Sequence, residues 1–167
     1  DLILDKTGAG MDYIRQETEK LVSYCQGRDV VTVEDVEKVC TTQTTSHIFD
    51  MISAIANKKQ QQALDLYYDL LELKEPPMRI LYLIVRQFNG ILQVKDLMSR
   101  GISGKEIASK IGAAPFVVGK YQAQAKYFEM NTLLDALNEC AKTEEAVKQG
   151  RLNDRLGVEL IIIKYSK

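Results

Sequence analysis

Residues 102–128, ISGKEIASKIGAAPFVVGKYQAQAKYF, set a short amphipathic helix before a Gly112-Ala113-Ala114-Pro115 break and a second helix after it. Proline suits the first turn of that second helix, because its missing N–H has no intrahelical partner there. By itself the pair has the shape of a helix-turn-helix, which seats its second helix in the major groove of DNA. In that reading Ile107, Ala108 and Ile111 face the core, and Lys120, Gln122, Gln124 and Lys126 reach toward the duplex. The second helix argues against it. Phe116, Val117, Val118, Tyr121, Ala125 and Phe128 cover a wide arc and leave a thin polar face. Lys120 and Lys126 are few cations for neutralising phosphates. Joined to the Arg86-Gln87-Phe88 helix before it, the pair reads instead as one corner of a packed helical assembly domain.

Working outward, the periodicity is helical almost throughout. Upstream, Glu75-Pro76-Pro77 breaks the chain and starts a long helix from Met78 to about Ser99. That helix is apolar on most faces through Ile80, Leu81, Leu83, Ile84, Val85, Phe88, Ile91 and Leu92, which predicts a central position. Two stripes precede it: Ile48, Phe49, Met51, Ile52 and Ile55, then Ala63, Leu64, Leu66, Tyr67, Leu70 and Leu71. Downstream, Asn131 to about Lys148 turns Leu133, Leu134, Ala136, Leu137 and Cys140 inward. A last helix runs from Asp154 to about Tyr165. Near the start, Gly8 and Gly10 make a flexible entry to a helix from Met11 that ends at Gln26-Gly27. Asp29 to Thr32 form a short extended bridge, and Thr32 caps a helix to about Cys40, with Glu34 and Asp35 suiting its N-terminal end. Thr41-Thr42-Gln43-Thr44-Thr45-Ser46 is polar and rich in capping residues, which predicts a domain boundary there. The expectation is an all-α chain.

Composition agrees with that class and excludes others. Three prolines, ten glycines and no tryptophan in 167 residues favour long helices over a turn-rich β fold. A net charge of −1 argues against a protein that coats nucleic acid unaided. Cys25, Cys40 and Cys140 are widely spaced, each in a helical pattern, without a CxxC or a histidine pair, so buried thiols in a reducing cytoplasm are expected rather than a zinc site. No run approaches the ~18 apolar residues that span a bilayer. The chain opens on Asp1 with the apolar run Leu2-Ile3-Leu4, which reads as the tail of an earlier element in a longer protein.

Catalytic chemistry has little to stand on. Triads and histidine metal sites would all have to use His47, the sole histidine, which follows the polar stretch and suits capping or solvent exposure. Gly8-Ala9-Gly10 completes no phosphate-binding fingerprint, and no GxxxxGK[ST] is present. Pairs such as Glu17/Glu19 and Glu144/Glu145 lie on hydrophilic helix faces, where solvated charge is the default role, since a general acid needs burial or a close like charge. No catalytic residue, cofactor or metal is expected. Arg86 and Gln87, inside an apolar helix, are the odd pair. They occupy a narrow solvent stripe or form a polar latch to a neighbouring helix or subunit.

The ordered motifs resemble those of the delta-subunit family of bacterial DNA polymerase III, in its C-terminal part. Thr7-Gly8, Met11, Ile14-Arg15-Gln16-Glu17 and Glu19-Lys20-Leu21 resemble the family's first helix here, and Val33-Glu34-Asp35-Val36 its next. Ile48-Phe49-Asp50, Ala54-Ile55 and Ala63-Leu64 resemble the pair that opens its last domain. Ile80-Leu81, Arg86-Gln87-Phe88, Gly101, Ile107-Ala108, Gly112, Pro115-Phe116, Val118, and Lys148 with Gly150 follow in family order.

What the resemblance implies is an architecture in two parts. Residues 1–43 would be the last helices of a small AAA+ lid domain, and residues 44–167 a helical collar domain through which clamp-loader subunits join. Met11 stands where ATP-binding relatives carry a sensor arginine, as expected of a subunit that does not use nucleotide. The implied function is DNA replication in the bacterial cytoplasm, at the nucleoid-associated replisome. The complex loads the sliding clamp on primed DNA, and this segment supplies assembly rather than catalysis. Implied partners are the delta-prime and gamma/tau subunits through the collar, with the clamp engaged by a preceding N-terminal region. The interface candidates are Arg86, Gln87, Tyr121, Lys126 and Tyr127. The rival reading is the helix-turn-helix DNA-binding module.

Overall fold

The computed structural model describes residues 11–28, 30–39 and 43–167; among them the regular structure is all helix, with no strand. The expectations placed on Leu2 to Leu4, on Gly8 to Gly10, and on Asp29, Cys40, Thr41 and Thr42 lie outside the described residues, as does the side chain of Met11. The helices are α1 (Met11–Tyr24), α2 (Val33–Val39), α3 (Gln43–Ala56), α4 (Gln60–Glu72), α5 (Pro77–Ser99), α6 (Gly104–Ile111), α7 (Pro115–Ala125), α8 (Met130–Lys148) and α9 (Asp154–Tyr165). None is long and apolar enough to cross a membrane. The chain divides into two compact units, with the boundary between Ser46 and His47.

α3 starts at Gln43 and carries Thr44, Thr45 and Ser46 of the polar stretch in its first turn. Low helix propensity there is a weak bias, and tertiary context overrides it. His47 accordingly lies within a helix, half-buried, rather than at a cap or in solvent.

In the first unit α1 packs against α2. Thr32 and Asp35 cap α2 reciprocally: the Asp35 amide donates to Thr32 Oγ1 at 3.2 Å, and the Thr32 amide donates to Asp35 Oδ2 at 3.0 Å. The Thr32 hydroxyl adds a bond to the same oxygen at 2.8 Å, and Arg28 reaches Oδ1 at 3.0 Å. These bonds, Thr32's first, hold the Asp35 carboxyl down at about 2.

The second unit is built around α5, against which α6, α7, α8 and α9 all pack. Its inner side carries Ile80, Leu81, Ile84, Phe88, Ile91 and Val94, all buried. Phe88 meets Phe128 edge-on at 5.7 Å and Tyr165 at 6.4 Å, which joins α5 to the chain after α7 and to α9. Gly90 lets α7 come close: a Cβ there would stand 2.5 Å from a ring carbon of Tyr121. The ends of α3, α4, α5 and α8 close by the same backbone device. The amides of the two residues beyond the helix bond back to carbonyls in its last turn, with Gly101 and Gly150 in the left-handed conformation this needs. After α3 and α4 the same place is held by Lys58 and Lys74, each at φ 60.

Candidate functional site

The long helix settles the Arg86-Gln87 question by splitting the pair. Successive helical residues point about 100° apart, so neighbours at the edge of the core face opposite ways. Gln87 lies seven residues after Ile80 and turns inward, where it is 4% exposed, whereas Arg86 turns outward. Gln87 Nε2 donates to Gln124 Oε1 at 2.6 Å. Gln124 Nε2 then donates to the Phe49 carbonyl at 2.9 Å and to Ser53 Oγ at 2.8 Å. The two glutamines thus tie α5, α7 and α3 together inside one unit. As an interface candidate Gln87 is therefore corrected to an internal latch, because its amide is consumed in the core.

Tyr121 receives the same correction. It is 8% exposed, lies 5.7 Å from the Phe49 ring and covers Gly90. Burial raises its hydroxyl pKa, partly opposed by the charge of Arg86 nearby. Arg86, Lys126 and Tyr127 are exposed, Tyr127 by 61%.

The expected DNA-reading face does not form as drawn. Gln124 is buried in the latch, and Lys120 lies over the Phe49 ring at 4.6 Å. Ile107 and Ala108 do enter the core, with Ile111 partly buried.

For Arg86 the solvent-stripe reading holds, and the stripe has members that the sequence reading did not name. Arg79, Tyr82, Arg86, Asn89 and Gln93 are all exposed and recur every three or four residues along α5. Tyr82 is 63% exposed, an unusual position for a large aromatic on the helix that organises the core. The signal was available: Tyr82 is four residues before Arg86 and shares its face. α5 is central, as its apolar faces predict, but this outer face is left uncovered within the chain. Arg79 pairs with Glu75 at 3.1 Å, and the stripe itself holds no acid. A second outward strip, on α9, is aliphatic, with Leu156 at 45% and Leu160 at 48% exposure.

Among the described residues, no group of three His, Cys, Asp or Glu side chains is placed to hold a metal. Cys25 and Cys140 are free and buried, and burial pushes the Cys140 thiol up to about 12, which leaves it unreactive.

A helical unit organised on one central helix, with an internal polar latch and outward strips, is a packed all-α domain. The model of the DNA polymerase III delta subunit, C-terminal domain, matches residues 45–165, and the chain belongs to that family. It is 32% identical over 154 residues to DNA polymerase III subunit delta of Bacillus subtilis (strain 168), spanning 92% of this chain and 44% of that protein. Among solved structures it is similar to the Bacillus subtilis DNA clamp loader delta protein, with TM-score 0.74 and 30% identity, covering 98% of this chain and 48% of that one. The chain thus spans about half the length of these relatives.

Proposed function

We propose that this chain is the assembly half of a clamp-loader delta subunit, acting in DNA replication. Its first unit ends a small AAA+ lid, and its second is the collar that joins the other clamp-loader subunits. The chain itself does no catalysis, and it works in the bacterial cytoplasm as part of the replisome. The observation that carries this reading is the likeness to a clamp-loader delta protein across 98% of the chain, with TM-score 0.74. Two outward strips of different chemistry, one polar and aromatic, one aliphatic, suit a subunit that meets two different neighbours in a ring. Contact with the clamp belongs to a region outside this chain, and contact with primed DNA to the complex.

The reading predicts interference. A polypeptide of these 167 residues, added in excess to a reconstituted clamp-loading reaction, takes the place of delta without supplying its clamp-binding part. Loading then slows, and added full-length delta restores it. Unchanged loading rates at large excess contradict the proposal.

A further inference from the structure

We infer that the outer stripe of α5 is a docking surface for a helix of a neighbouring clamp-loader subunit that presents carboxylates. The inference rests on the assembly reading and names the chemistry of one partner face. Three observations point to it. The spacing of Tyr82, Arg86, Asn89 and Gln93, four, three and four residues apart, is the seam along which two helices pack at a shallow angle. The composition is that of an interface centre, since tyrosine and arginine supply large contact area and directional bonds at little entropic cost. The charge is one-sided: of Arg79 and Arg86 on the stripe, an ion pair is seen for Arg79 alone, with Glu75 at 3.1 Å.

Arg79 is partly satisfied by Glu75, so Arg86 is the cation left to recruit an outside partner. Its planar fork matches a carboxylate in two parallel hydrogen bonds. Tyr82, one turn earlier, covers the bond from water on one side, and Asn89 and Gln93 continue the seam with neutral donors and acceptors. A nucleic-acid backbone would ask for more cations along its track than this stripe offers.

The test compares the wild-type chain with Arg86→Glu, Arg86→Gln and Tyr82→Ala, each titrated with the other clamp-loader subunits of the same organism. Lys105→Glu, on the exposed side of α6, serves as a control. These side chains project into solvent, so circular dichroism and melting are expected to match wild type. If Arg86→Glu perturbs the fold, Arg86→Gln carries the comparison. Arg86→Glu and Tyr82→Ala are expected to weaken binding by about tenfold or more. Lys105→Glu should bind as wild type, and wild-type affinity should fall with added salt. Wild-type assembly that persists unchanged in the stripe variants overturns the docking surface while leaving the assembly reading standing. A wild-type chain that binds no subunit overturns both. Capture of duplex DNA by the wild type, lost in Arg86→Gln, overturns the inference in favour of phosphate recognition.

Discussion

Gln124 and Asp35 show how single residues hold each unit. Gln124 is 6% exposed and spends its amide on three partners, so its loss strands groups that water does not reach. Gln124→Ala is expected to cost about 2–3 kcal/mol, the penalty for unpaired buried polar atoms plus the void. Denaturant unfolding measures it, and a loss near zero shows that the latch is not needed for stability. Asp35 predicts a pH dependence in the first unit. Its carboxyl is held at about 2, against 3.8 for the free side chain, so the bonded anion stabilises the fold above 3.8. That contribution drains away as pH falls from 3.8 through about 2. Following the Thr32 amide by NMR through acid titration checks it: a midpoint near 2 agrees, and one near 3.8 contradicts. Asp35→Asn should remove the transition. The Thr32 cap was legible in the sequence as a capping signal. Gln124 was not, because glutamine in an amphipathic pattern reads as surface until a partner helix is known.

At the scale of elements, the approach of α7 to α5 depends on one missing Cβ. Gly90→Ala would drive a methyl to 2.5 Å from the Tyr121 ring, which is buried and flanked by Phe49. Such overpacking is expected to cost about 1–3 kcal/mol, and a melting point equal to wild type would refute the close contact. The left-handed Lys74 predicts the opposite sign. It is exposed at the end of α4, where glycine adopts φ 60 without strain, so Lys74→Gly should stabilise by up to about 1 kcal/mol. Helix order and the Pro77 and Pro115 starts follow from local signals, periodicity and proline chemistry, and these were legible. The start of α3 was not, since Thr44 and Thr45 prefer caps and only packing of the following apolar turns holds them helical. The outer stripe of α5 was half legible. Arg86 stood out as a charge among apolar residues, while Tyr82 hid among them because aromatic residues usually mark a core.

For the whole molecule, the motif order implied the delta-subunit family, and the chain's likeness to a clamp-loader delta protein extends over 98% of its length. Periodicity alone could not reach that point. It delivers helices and buried faces, but an outward strip has no meaning until a neighbour is named, and neighbours leave no period in a single chain. The central claim is that this chain joins other clamp-loader subunits. Light scattering after size exclusion, on the chain alone and mixed with those subunits from the same organism, tests it most directly. The account predicts a stable complex whose mass includes one copy of the 18.9 kDa chain. A chain that elutes at its own position, with its partners unshifted, would contradict it.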